Sequence, residues 1–209
     1  MQRHKYIGII RIAFGLLATG AIAAQLASSI EAGRNIINFF SFFTIESNIL
    51  GVILLVFLGM YNLFVSGDTT KQFAFLRGGV TLYMTMTGII YVMLLSGNED
   101  ALQTTIPWVN IVLHYVMPAV ILADWLAFPP QRYLPFKRAI LWVTFPIVYL
   151  FYSLIRGSFT QWYPYPFINP IQNGWPTVVA MSLIISMATL ALTGLLTLRV
   201  KGSKPQRSM

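Results

Sequence analysis

The chain of 209 residues carries 56% hydrophobic and 14% aromatic side chains, only 10% charged ones, and no cysteine. A water-facing domain averages about 25% charged residues, so a soluble globular fold, a disulfide scaffold and a cysteine-ligated metal or redox centre are excluded. What fits is a polytopic membrane protein, since about 20 apolar residues cross a bilayer and there is room for roughly six or seven such helices.

Apolar stretches fall at 6–28, 36–64, 73–95, 106–128, 138–155 and 176–198, each bounded by charges or by Gly, Pro and Asn. The first ends in small residues (Ala21, Ala23, Ala24) that resemble a signal-peptide cleavage region. It is too apolar for too long to be one, and its loss would leave an odd number of spans. The fifth is the shortest and contains Pro146. Backbone amides in lipid are satisfied within their own helix, and strand-like alternation and internal repeats are both absent. The expected fold is therefore all-α, a six-transmembrane-helix bundle in one domain over 1–200, with a short basic tail at 201–209.

The net charge of +8 raises nucleic acid as a partner, but basic residues in a membrane protein first of all set topology. With the N-terminus inside, Arg3, Lys5, Arg11, Lys71, Arg77, Arg132, Lys137, Arg138, Arg199, Lys201, Lys204 and Arg207 collect on one side, and only Arg34 and Arg156 on the other. That asymmetry predicts that both termini are cytoplasmic. Glu31, Glu99 and Asp100 then fall in the outer loops.

Ionisable side chains inside a span are costly and so are functional candidates by default. Only Glu46, His114 and Asp124 lie well within the apolar stretches. Asp124 comes near the cytoplasmic end of the fourth span, within reach of headgroups, the Trp125 indole or a basic residue of the next loop. His114 is deeper, about 12 Å below the outer surface if the span enters near Ile106. Asn110 lies one turn above it on the same face and Pro118 one turn below. Pro118 lacks the amide that would bond the carbonyl of His114, which predicts a kink and a freed carbonyl.

The second span carries Ser41, Thr44, Glu46, Ser47 and Asn48. At about 100° per residue, Ser41, Thr44, Ser47 and Asn48 share one sector and Glu46 points away from it. Entering near Ile36, the span puts Thr44 about 12 Å deep, level with His114. A hydroxyl beside an imidazole in a low-dielectric pocket is a minimal activated nucleophile. The histidine takes the hydroxyl proton as the oxygen attacks a carbonyl and returns it to the leaving group. Asp124 is about 15 Å further along the helix, which leaves Asn110 or a backbone carbonyl to orient the ring. Ser47, Asn48 or a tyrosine are the candidate donors to an oxyanion. Serine and threonine in spans also act as packing glue, and histidine can merely bridge helices; spacing alone leaves these readings open.

Three segments, Phe-Phe-Thr-Ile-Glu-Ser-Asn (42–48), Trp-Val-Asn-Ile-Val-Leu-His-Tyr-Val-Met-Pro (108–118) and Trp-Tyr-Pro-Tyr-Pro-Phe-Ile-Asn-Pro (162–170), resemble a known family. It is that of the androgen-induced and FAR-17a-like integral membrane proteins with their bacterial relatives, the Pr6Pr branch. The resemblance implies an intramembrane threonine hydrolase of fatty acid esters of hydroxy fatty acids, with the nucleophile at Thr44 and the histidine at His114. In its light the loop at 156–175 becomes a stiff, amphipathic segment on the same side as the pair, rich in aromatics (Phe159, Trp162, Tyr163, Tyr165, Phe167) and prolines. It is an aromatic belt, or a semi-rigid lid or lateral gate. Arg156 holds a substrate carboxylate or phosphate, or caps the fifth helix.

The expected activity is thus cleavage of a lipid carboxylic ester by Thr44 and His114. Ser47, Asn48, Asn110, Arg156, Trp162, Tyr163 and Tyr165 are candidates for substrate or oxyanion binding. No cofactor or metal is expected, since two histidines, one of them at the N-terminus, make a poor ligand set. The expected partners are membrane lipids and the ester substrate, without nucleic acid or an obligate protein partner. The expected location is a bacterial inner membrane, with the site toward the outer leaflet. The alternatives are a proton-linked transporter or channel using His114, Glu46 and Asp124, and a non-catalytic lipid-binding membrane protein.

Overall fold

Hydrocarbon leaves a backbone few options besides the helix, and most of the described residues are helical. The computed structural model describes residues 2–65, 69–97, 106–131, 133–198 and 200, and none of these lies in a strand. Six helices are long and apolar enough to cross a membrane: His4–Glu31, Phe43–Phe64, Lys71–Leu95, Pro107–Ala127, Phe136–Thr160 and Pro170–Leu198. The protein is an all-α integral membrane protein. Glu99, Asp100, Arg132, Arg199, the tail at 201–209 with Lys201, Lys204 and Arg207, and the side chain of Arg3 lie outside the described residues.

Spans gain little hydrophobic energy from each other in lipid, so they associate through close backbone contact at small residues. α1 (Gln2–Glu31) does this against α3 (Phe43–Phe64). A Cβ on Gly8 would meet the Gly59 carbonyl at 2.8 Å, and one on Gly59 would meet the Gly8 carbonyl at 2.7 Å. Replacing Gly59 by Val is expected to push α1 off α3 and to destabilise the bundle by about 1–3 kcal/mol. A thermal unfolding midpoint measured in detergent should fall accordingly, and an unchanged midpoint would show the crossing to be slack.

The second span departs from expectation. Instead of one helix over 36–64, a short α2 (Ile36–Phe40), capped by the Asn35 side chain, ends at Ser41, and α3 begins afresh at Phe43. A helix N-terminus exposes amides without partners. Here the amides of Phe43 and Thr44 donate to the hydroxyls of Tyr149 and Tyr165, each at 3.2 Å. The break is possible because distant residues supply the acceptors.

The third and fourth spans are both irregular. α4 (Lys71–Ile90) runs on into a π turn at Tyr91–Leu95. The fourth is α5 (Pro107–Ile111), a π turn at Val112–Val116, and α6 (Met117–Ala127). The missing amide of Pro118 is absorbed by that wider turn, in which the Met117 amide reaches back to the Val112 carbonyl. Gly88 lets α4 close onto Pro118, where a Cβ would come within 2.9 Å of the ring.

The fifth span reaches beyond the expected 138–155 at both ends: α7 (Phe136–Ala139), a 3-10 turn (Ile140–Val143) and α8 (Thr144–Thr160). Pro146 falls in the first turn of α8, just after the 3-10 turn, and the Trp142 carbonyl one turn back accepts from the Tyr83 hydroxyl at 3.0 Å in place of the missing amide. α9 (Pro170–Leu198) bends at Gly174, whose φ of 74° lies outside the helical region. The first four spans bury Leu55, Met84, Leu113, Met117 and Ile121 among themselves. Leu82, Trp125, Trp142 and Leu196 fasten the last two spans at one end. α8 and α9 hardly touch directly; the 3-10 turn at 140–143 and the loop before α9 join them, and a cavity opens between.

Asp124 corrects a second expectation. Its partner is neither a headgroup nor a loop residue but two arginines from other spans. Its carboxylate accepts from Arg11 at 2.8 Å and from Arg77 at 2.9 Å, and both arginines are only 6% exposed. Arg11 also donates to Asn62 of α3. The Trp125 indole donates instead to the Leu196 carbonyl at 3.2 Å. The cluster ties the first four spans together.

Candidate active site

The break before α3 places Thr44 in the helix's first turn, where it is buried with its hydroxyl toward the fourth span. Thr44 Oγ1 lies 3.2 Å from His114 Nε2. The other ring nitrogen, Nδ1, is 3.2 Å from the backbone carbonyl of Asn110. A carbonyl only accepts, so the network assigns the proton to Nδ1 and leaves the Nε2 lone pair facing the threonine hydroxyl. Tyr91 stacks on the imidazole, with centroids 4.1 Å apart and planes at 23°. Asn110 holds Tyr91 in turn, its amide donating to the tyrosine hydroxyl at 2.5 Å. Asn110 thus fixes the ring through its carbonyl directly and through its side chain by way of Tyr91. The π turn brings these groups onto one face.

Tyr165 reaches the pair from the loop between α8 and α9. Its hydroxyl accepts from the Thr44 amide and lies 3.4 Å from Thr44 Oγ1. Burial pushes this phenol up to about 12, so the hydroxyl is neutral and able to donate at physiological pH. Tyr149 is committed otherwise: it accepts from the Phe43 amide and donates to the Ser41 carbonyl at 2.9 Å. Ser41 itself sits in the break, bonded to Tyr152 at 2.7 Å, and does not share a helix face with Thr44.

Ser47 and Asn48 lie close by but serve the scaffold. Asn48 gives its amide protons to the carbonyls of Thr44 and Leu113, at 2.8 and 3.1 Å. This latches the first turn of α3 to the π turn that carries His114. Ser47 bonds the Thr44 carbonyl at 3.2 Å and the Thr87 hydroxyl at 2.8 Å. Neither presents a spare donor proton beside the Thr44 hydroxyl.

The loop aromatics divide into two groups. Tyr165 and Phe167, stacked with centroids 5.3 Å apart, line the cavity. Trp162 packs edge-on to Phe42, and the Tyr163 ring fills the notch above Gly157, where a Cβ would sit 2.1 Å from it. Arg156 donates to the Asn38 side chain at 2.5 Å and lies over the Trp162 ring. Arg156, Trp162 and Tyr163 thereby brace the loop against α2 and the break without lining the cavity.

The cavity encloses about 820 Å³ including its open mouth. Thr44, Tyr149 and Tyr165 form its head, and mostly apolar groups from α4, α8 and α9, such as Met86, Leu150 and Ile185, form its body. It is bordered on two sides by the diverging α8 and α9. Among the described residues no group of three or more His, Cys, Asp or Glu is placed to hold a metal ion. Tyr91, Tyr149 and Thr87 belong to this site yet carry no sequence signal, being single residues in apolar spans.

No family model matches the chain, and neither the curated proteins nor the solved structures contain a significant match.

Proposed function

We propose that the protein is an intramembrane hydrolase of lipid carboxylic esters, with Thr44 as nucleophile and His114 as general base. The observation that carries this reading is the contact between Thr44 Oγ1 and a ring nitrogen whose opposite nitrogen is held on a carbonyl, at the head of an apolar cavity. The resemblance of residues 42–48, 108–118 and 162–170 to the androgen-induced and FAR-17a-like proteins supports the same activity. The substrate class is then a fatty acid ester of a hydroxy fatty acid or a similar lipid ester. The asymmetry of basic residues supports a site toward the outer leaflet, and the bacterial branch of the resemblance supports an inner membrane.

In this mechanism Thr44 Oγ1 attacks the ester carbonyl and its proton passes to His114 Nε2. The carbonyl oxygen becomes an oxyanion, and the Tyr165 hydroxyl is the donor nearest to it. The positive end of the α3 dipole adds to that stabilisation. As the tetrahedral centre collapses, the bond to the alcohol oxygen breaks and His114 returns the proton to it. Water then attacks the acyl-threonine, giving its proton to His114. The carboxylic acid leaves and Thr44 recovers its hydroxyl. The burial of the pair beneath the loop matters because low dielectric strengthens every one of these interactions. A relay through His114, Glu46 and Asp124 is disfavoured by position, since Asp124 is ion-paired at the far end of the bundle.

A long-chain fluorophosphonate should form an adduct on the peptide containing Thr44, and the adduct should be missing in Thr44→Ala. Labelling of another residue, or none, would sink the assignment. Tyr165→Phe should lower kcat by about 100-fold with little change in KM, as expected for a donor engaged in the transition state.

A further inference from the structure

A general base becomes a cation while the oxyanion forms, so the imidazolium of His114 has to arise in a place with little water. Thr44 and His114 are 7% and 3% exposed. A conventional triad meets this need with a carboxylate behind the imidazole. Here the group behind the ring is the neutral carbonyl of Asn110, 3.2 Å from Nδ1. The carboxylate on the same span, Asp124, is ion-paired with Arg11 and Arg77 at the far end of the bundle. α1 passes the ring with the stretch between Arg11 and Glu31, which holds no titratable side chain. On α3, Glu46 lies two residues from Thr44 and on the other side of the helix. Tyr115 leaves the turn of His114 outward and is exposed, Tyr83 donates to the Trp142 carbonyl, and Tyr149 is committed to the break before α3. Among the described residues, the titratable groups beside the pair are therefore Tyr165, with its neutral hydroxyl at Thr44, and Tyr91.

Tyr91 meets the ring across its face. Itself 1% exposed, it lies over the imidazole with centroids 4.1 Å apart and planes at 23°. The face of an aromatic ring carries negative partial charge, and a cation within about 6 Å of its centre is attracted, most strongly where both are out of water. The ring is held there by the π turn that carries its backbone and by the Asn110 amide, which donates to its hydroxyl at 2.5 Å. We infer that Tyr91 is a positioning residue that stabilises the protonated form of His114, its ring face standing where a conventional triad has a carboxylate. Against neutral imidazole the contact is ordinary stacking, and it strengthens as the proton arrives from Thr44. An interaction stronger in the transition state than in the ground state is the kind that speeds a step. Tyr91 does not line the cavity, so its effect falls on kcat and not on KM. The part played in turnover rests on the hydrolase reading, whereas the contact with the imidazolium does not.

The chain has only two histidines, His4 and His114, so in the His4→Gln protein, labelled with 15N-histidine and held in nanodiscs, a single imidazole titrates in the NMR spectrum. Tyr91→Phe keeps the ring face, loses the bond to Asn110 and serves as the reference. Phenylalanines of increasing fluorination in place of Tyr91 keep the shape of the ring and weaken the charge on its face step by step. His114 should take up its proton at progressively lower pH along the series, about one unit lower with pentafluorophenylalanine than with Tyr91→Phe. Over the same series kcat for a fluorogenic ester should fall about tenfold at unchanged KM, and the acid limb of its pH profile should move with the NMR midpoint. A ring that merely filled space would not distinguish these variants. A midpoint that stays constant along the series, or a His114 that does not titrate while the protein remains folded, would overturn the inference. A graded midpoint in a protein that turns over no ester leaves the contact standing and removes the hydrolase reading; turnover indifferent to the series does the reverse.

Discussion

Thr44→Ala should lower turnover of a fluorogenic long-chain ester by about four orders of magnitude or more, with the yield of folded protein unchanged. His114→Ala should cost about as much, and the double variant little further, because a nucleophile and its base act as one unit. Thr44→Ser should keep measurable activity, since it presents the same oxygen without the γ-methyl group. The fold tolerates the loss of this hydroxyl because its partners among the described residues are His114 and Tyr165. The backbone of Thr44 remains held by Tyr165 through its amide and by Asn48 through its carbonyl. The expected stability cost is about 1 kcal/mol. Full ester turnover by Thr44→Ala would remove Thr44 as the nucleophile.

The layout of spans was legible because lipid imposes a simple rule of length and apolarity, and each expected stretch lies within one of the observed spans or overlaps most of it. The exceptions have a common cause. The break at Ser41–Phe42 cannot be read from its own residues, since the acceptors for the freed amides are Tyr149 and Tyr165. Pro118 signalled an irregularity one turn below His114, but a π turn and a kink answer the same missing amide equally well at the level of sequence. The meeting of Thr44 and His114 was foreseen from equal depth, and that argument survives the break because α2 leads into α3 near the same level. Side-chain direction was less accessible. Ser47 and Asn48 look like oxyanion donors until the carbonyls of Thr44 and Leu113 are seen to hold them. Tyr165 was foreseen among the loop aromatics, whereas Tyr91 carried no sign of its place on the imidazole.

Arg11 and Arg77 were counted for orientation alone, and their burial around Asp124 sets the largest expected effect on stability. Asp124→Ala would leave two guanidinium groups, each 6% exposed, without their counter-ion. Breaking a buried ion pair by removing one partner costs about 3–5 kcal/mol, mostly from the charge left behind. That is a large part of the stability of a typical folded chain. The thermal midpoint and the monodisperse fraction after detergent extraction should both collapse. Asp124→Asn should be milder, because an amide oxygen still accepts from one arginine. The sign of the argument is tested by the variant Arg11→Met/Asp124→Leu/Arg77→Met, which carries no charge to bury and should recover most of the lost stability. Asp124 lies ten residues, about 15 Å, from His114 along its span. Whatever fraction of Asp124→Asn folds should therefore turn over ester with a kcat close to wild type. An Asp124→Ala protein as stable as wild type would mean that the two arginines find water or lipid phosphate instead of depending on the carboxylate.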